Sequence, residues 1–267
     1  MHPLQRIEKA TQITHQAMQR LLTDEITALI IENYYPVNSA GVIAEKLIKS
    51  EVLANYTHET STTNGLKQEY LGVDRVGFPF NLIYDKPDDD NLIGQYYAAA
   101  KENISRIRLY SKPAITPIDK LRLELDENYT HGAMVADYQH KKMLAGIGRV
   151  SHADMSYMSE DPPHFDALPK RFAELSGQFA ANIYLKVPGT GGELEIWDVP
   201  PLAPLFSAPD NWRAQLPQSI VIKPNVGDLI IFNCRRPHAI RSFKGEPRVT
   251  MQVFIGYKEN QPLKLWN

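Results

Sequence analysis

His238 is followed ten positions later by Arg248 and, two further on, by Thr250, in the run Gly227-Asp-Leu-Ile-Ile-Phe-Asn-Cys-Arg-Arg-Pro-His238-Ala-Ile-Arg-Ser-Phe-Lys-Gly-Glu-Pro-Arg248-Val-Thr250. An imidazole can ligate a metal. A guanidinium is the side chain best shaped to grip a carboxylate through two parallel hydrogen bonds, and a hydroxyl two residues on can add a third. More metal donors stand upstream, in His152-Ala153-Asp154 and in a second triplet of the same form, His164-Phe165-Asp166. Residues two apart on a strand project to one face, so either triplet can offer an imidazole and a carboxylate to one ion. Two histidines and one carboxylate on a β scaffold suit non-haem Fe(II) with positions left open for substrate and oxygen.

Only one of the two triplets can be the primary site. His152 ends a long β-patterned run, whereas Pro162 and Pro163 directly precede His164 and argue against a central strand there. The expected metal set is therefore His152, Asp154 and His238, with Arg248 and Thr250 holding a dicarboxylate cosubstrate. His164 and Asp166 are read as a loop or lid near the pocket. Taken alone, His238 is more simply a satisfied imidazole and Arg248 a solvated strand end; their spacing, the triplet and the β context together favour the site.

These residues need elements to position them. From about residue 131 β patterning dominates: 132–138, 143–154, 179–186, 193–199, 219–223, 228–233, 239–243 and 248–257 read as strands, punctuated by Gly and Pro clusters. About eight short strands imply a sandwich or barrel, and the double-sheet jelly roll that also builds cupins is the obvious candidate. The N-terminal part reads mainly helical, with helices over 4–22, 40–53, 91–110 and 116–126, Thr116 capping the last with Pro117 at its first position. Residues 25–32 form a short β-like run, 57–64 read as a loop, and Asp88–Asp90 as a solvated helix start. The expected fold class is mainly β with flanking helices: one domain over 1–267, in which a helical part (1–130) buttresses a jelly-roll, or double-stranded β-helix, core (131–267).

The 267 residues are 43% hydrophobic and 22% charged, as in a globular protein with a full core. A net charge of −2 gives no general attraction for nucleic acid or an anionic membrane. The lone Cys234 excludes an internal disulfide and a CxxC metal site, and following Leu229–Phe232 it reads as a small buried hydrophobe. With no signal-peptide pattern and no apolar stretch near the ~20 residues that span a bilayer, the chain reads as soluble and cytoplasmic. Trp197, Trp212 and Trp266 read as core or rim aromatics, Arg149 as structural, and Asn182 and Tyr184 as sharing the face of one strand.

Taken together, His152, Asp154, His238, Arg248 and Thr250, with the intervening Leu185-Lys-Val-Pro-Gly-Thr-Gly-Gly-Glu-Leu-Glu-Ile-Trp197, resemble the iron(II)/2-oxoglutarate-dependent oxygenase superfamily over about residues 140–267. The likeness is nearest to stand-alone small-molecule enzymes, including the welwitindolinone-type aliphatic halogenases. Those replace the carboxylate ligand by glycine to admit chloride; either triplet here retains it. The resemblance implies Fe(II), 2-oxoglutarate and O2 as cofactor and cosubstrates. It implies decarboxylation of 2-oxoglutarate to succinate, coupled to hydroxylation of an aliphatic C–H in a free small molecule such as an amino acid or natural-product intermediate. A peptide or protein hydroxylase of the same superfamily and a non-catalytic cupin-like binding protein are the alternatives. A nucleic-acid demethylase is disfavoured for want of clustered Lys and Arg.

Overall fold

A computed structural model describes residues 6–62, 65–84, 89–153, 163–204, 206–209 and 211–267. The chain opens with β1 (Ile7–Ala10), α1 (His15–Leu22), β2 (Ala28–Ile31) and α2 (Val37–Ile48), then a long hairpin, β3 (Ala54–Thr62) and β4 (Gly65–Val76). Helices α3 (Asp90–Ser111) and α4 (Pro117–Asn128) follow. The rest is strand: β5 (Ala133–Val135), β6 (Asp137–Tyr138), β7 (Lys141–Lys142), β8 (Ile147–Ser151), β9 (Gly177–Lys186), β10 (Thr190–Gly191), β11 (Leu194–Ile196), β12 (Ile220–Ile222), β13 (Leu229–Asn233), β14 (His238–Ile240), β15 (Phe243–Lys244), β16 (Arg248–Tyr257) and β17 (Leu263–Trp266). The mainly β architecture with flanking helices is the one expected, and among the described residues no helix is long and apolar enough to cross a membrane.

The strands form a major sheet in the order β1-β2-β13-β9-β16-β8-β4-β3, with β17 and β5 joined through β16, and a minor sheet β12-β11-β14. Alternation along the major sheet sorts its side chains into two layers. Val249, Met251, Val253 and Ile255 of β16, with Phe179, Ala181, Ile183 and Leu185 of β9, pack under α1, α2 and α4. The opposite face presents Ala180, Tyr184, Ile230, Phe232 and Phe254 to Leu194, Ile196, Ile220 and Ile222 of the minor sheet. The second layer is the jelly-roll interior, and the polar residues of β16 that share its parity, Arg248, Thr250 and Gln252, are buried in it.

The N-terminal part departs from its mainly helical expectation. Residues 7–10 form β1 inside the segment read as one helix, and α1 begins only at His15, capped by Thr14, whose side chain accepts from Ala17 N. The run 57–64, read as a loop for its polarity, lies largely within the β3–β4 hairpin at the edge of the major sheet. An edge pair can be polar on both faces, and its threonines are good strand formers. Thr116 caps α4 as expected, accepting from Asp119 N at 2.8 Å, and Asp89 caps α3 through Leu92 N at 2.9 Å.

Candidate metal and cosubstrate site

His238 is the first residue of β14. Its partner across β11 is Ile196, an interior residue, so the imidazole faces the jelly-roll interior. It is 6% exposed, and the ring of Phe232 meets it edge-on with centroids 4.9 Å apart. The Nδ1 atom lies 2.9 Å from the carbonyl oxygen of Arg236. A carbonyl can only accept, so Nδ1 carries the proton and Nε2 turns its lone pair toward the interior.

The residues brought to His238 are His164 and Asp166. Their ligand atoms and that of His238 all lie within 4.8 Å of one another, and among the described residues they are the one such group of three. His164 sits opposite His238 in an isolated antiparallel bridge, its N donating to His238 O at 3.0 Å and its O accepting from His238 N at 2.8 Å. The two rings are 4.4 Å apart, and Asp166 Oδ2 is 3.4 Å from His238 Nε2. The chain beyond is tied down by Asp166 N donating to Cys234 O at 2.7 Å and Leu168 N donating to the Gln178 side-chain oxygen at 2.6 Å. Between the two ligands Phe165 takes the other side, against Phe206 and Trp212, at centroid distances of 5.9 and 6.5 Å.

His152 is not brought to this cluster. Its Nε2 is 2.8 Å from Asp74 Oδ2. Asp74 alternates with Arg75 on β4, so it belongs to the face of Val76, which packs with the helices. Asp154 lies outside the described residues. The preference for the upstream triplet rested on Pro162 and Pro163. Proline forbids only its own N–H from joining a ladder; the His164 N–H is untouched and makes the bridge. One bridge suffices to set an H-x-D pair, and no full strand is needed.

Burial raises the Asp166 carboxyl, but His238, His164 and Arg149 outweigh it and hold the group at about 2. An ionised carboxylate beside the buried imidazole of His238, its tautomer set by a carbonyl, and the exposed imidazole of His164 is a donor set that fits Fe(II). Across the interior, Arg248 is 4% exposed. Its Nη2 donates to Tyr184 Oη at 3.2 Å, its guanidinium lies 4.9 Å from the centre of that ring, and its buried Nε has no partner. No carboxylate pairs with it among the described residues, although a buried guanidinium without an anion is costly. That vacancy of charge fits a carboxylate ligand. Thr250 is 2% exposed on the same face, and Gly192 closes the site from outside the strand. At φ +74° it favours glycine, and a Cβ there would stand 2.6 Å from Pro188 Cγ and 3.6 Å from Arg248 Cδ.

Gln178 and Arg236 were not anticipated as contributors. Their roles are contacts across the fold, which no local spacing signals. Arg236, almost wholly buried, is fixed by Asp24 at 2.6 Å and Asp198 at 3.0 Å. Arg149 was read as structural, but it faces Thr250 in register and so shares the interior face with Arg248.

Residues 153–256 match the model of the 2OG-Fe(II) oxygenase superfamily, and the superfamily resemblance read from the sequence is borne out. Members use Fe(II), 2-oxoglutarate and O2. Among solved structures, an N-substituted L-amino acid dioxygenase from Burkholderia ambifaria AMMD aligns with a TM-score of 0.64 at 16% identity, covering 95% of this chain and 91% of that one. The same enzyme in complex with alpha-KG aligns with a TM-score of 0.61 at 15% identity over the same shares. No curated protein matches by sequence.

Proposed function

We propose that the chain is an iron(II)/2-oxoglutarate-dependent dioxygenase that hydroxylates an aliphatic C–H of a free small molecule. His164, Asp166 and His238 are its iron ligands, and Arg248 and Thr250 receive the far carboxylate of 2-oxoglutarate. The observation that carries this reading is the convergence of two imidazoles and a low-titrating carboxylate on one point in a jelly roll whose opposite wall holds a buried guanidinium with no carboxylate partner among the described residues.

When bound, iron and 2-oxoglutarate supply the oxidation: the keto acid is decarboxylated to succinate and one oxygen atom enters the substrate. The protein's share is placement. Arg236 O holds the Nδ1 proton of His238 and so keeps Nε2 free to ligate. Asp166 stays ionised at neutral pH. Tyr184 steadies the Arg248 guanidinium, and Phe232 shields His238 from water. N-substituted L-amino acids, the substrates named for the similar solved structure, are the first compounds to try.

The test is succinate release by the Fe(II)-loaded protein over free and N-substituted amino acids and short peptides, with product mass read in parallel. Substrate-dependent succinate and a small-molecule product heavier by one oxygen atom are expected. Succinate only with peptides would make it a peptide hydroxylase, and no succinate with any compound would leave a binding protein.

A further inference from the structure

Two further guanidiniums, of Arg149 and Arg75, lie on the interior wall. In the ladder of β16, β8 and β4, Thr250 stands opposite Arg149, and Arg149 opposite Arg75. One row across the sheet thus runs hydroxyl, guanidinium, guanidinium on the face that carries Arg248. Like charges directly opposite one another on a sheet destabilise it. Arg236 and Arg213 answer such charge with acids, Arg236 with Asp24 and Asp198 and Arg213 with Glu195 at 2.6 Å. Among the described residues neither Arg149 nor Arg75 has an acid partner.

What they have instead is aromatic and incomplete. The Arg149 guanidinium lies 5.1 Å from the centre of the Tyr56 ring, and its Nε is buried without a partner. Arg75 lies 5.2 Å from the Phe78 ring, donates one hydrogen bond to Gly77 O, and also leaves Nε unpartnered. Beside Tyr56, Asn81 donates its amide N–H to the Tyr56 hydroxyl and keeps a buried, unpartnered Oδ1. The place faces the same interior as the metal cluster, because Arg149 stands opposite Thr250 on the wall that carries Arg248. It is offset from Arg248, which pairs with Ser151 two residues further along β8, while Thr250 stands between the two guanidiniums, opposite Arg149.

We propose that Arg149, supported by Arg75, anchors a carboxylate of the substrate, and that the side-chain oxygen of Asn81 accepts from an N–H near that carboxylate. This rests on the proposed iron and 2-oxoglutarate site and names the substrate class for it: amino acids or their N-substituted derivatives, gripped by the acid end with the carbon chain reaching toward His164 and Asp166. The interior face then carries two anion positions on one sheet, one for each reactant.

The experiment is calorimetric titration with N-acetyl-L-amino acids, free L-amino acids and the matching carboxamides. It is run on metal-free protein and on protein loaded with Zn(II) and 2-oxoglutarate, so no turnover is needed. At least one acid is expected to bind, with its carboxamide weaker by about tenfold or more, the worth of a charge-assisted hydrogen bond. Arg149→Gln should abolish that preference, Arg149→Lys should restore part of it, and both should keep the wild-type affinity for 2-oxoglutarate. Acids and carboxamides binding alike, no acid binding in the millimolar range, or Arg149→Gln losing 2-oxoglutarate instead would each overturn the proposal. Failure of the wild type to bind metal would overturn the iron site, while the acid preference of the metal-free protein would still report on Arg149.

Discussion

On one wall of the interior, Arg248, Thr250, Tyr184 and Arg149 stand on strands of five to ten residues, each hydrogen-bonded on both sides. On the facing wall, His238 comes from a three-residue strand, and His164 is joined to it by one isolated bridge. The first wall sets side-chain positions by register, so parity alone decides what faces inward. The second depends on individual ties: Gln178 to Leu168, Phe165 against Phe206 and Trp212, and Arg236 locked between Asp24 and Asp198. A wall held by register can lose one side chain and keep the rest in place. A wall held by single ties concentrates its vulnerability in a few residues.

That contrast can be broken most directly at the metal. His238→Ala and Asp166→Ala are expected to lose essentially all bound iron, whereas His152→Ala, which removes only a partner of Asp74, should keep it. Elemental analysis of protein loaded with Fe(II) under anaerobic conditions reads the difference. Retention of iron in Asp166→Ala with its loss in His152→Ala would reinstate the upstream triplet. On the opposite wall, Arg248→Gln should leave metal content unchanged and weaken 2-oxoglutarate by about 10- to 100-fold, the value of a hydrogen bond to a charged group. Calorimetry with the metal-loaded protein measures it.

A smaller effect belongs to acid. The Asp166 carboxyl titrates at about 2 in the fold against about 3.9 in an unfolded chain. The depressed value means a stability contribution fully present above about pH 4 and lost as pH falls toward 2, worth about 3 kcal/mol at most. Denaturant titrations of the metal-free protein should show this loss in the wild type and its absence in Asp166→Asn. The least of these effects is expected at Phe165→Ala. It leaves every ligand atom but loosens the bridge, and about tenfold weaker metal binding is expected, by analogy with residues that orient ligands. A competitive chelator titration would detect it.

The two walls were also unequally legible. Leu229–Phe232 and Arg248–Tyr257 carry apolar patterns that identify strands, and alternation placed Arg248 and Thr250 on one face before any coordinates. The jelly roll followed from the same patterns. The metal wall was half legible: His238 stood out by its spacing to Arg248, and both H-x-D triplets were visible. The case for the second triplet turns on whether His164 can pair with a strand, and that pairing is with His238, 74 positions away in the chain. The β3–β4 hairpin was missed because a polar run paired at a sheet edge resembles a loop in sequence. Arg149 was missed because its place opposite Thr250 is set by strand register, a property of space rather than of spacing.

The edge-to-face contact between Phe165 and Trp212 also equips the molecule with an optical gauge. Trp212 is partly accessible to solvent and packs on Phe165, the residue between the proposed ligands His164 and Asp166, whereas Trp197 and Trp266 are sealed in the interior at 2% and 1% exposure. Aqueous quenchers will reach the indole at 212 before the other two. Ordering of His164 and Asp166 around an ion will therefore be recorded as a change in quenchable emission, without any label.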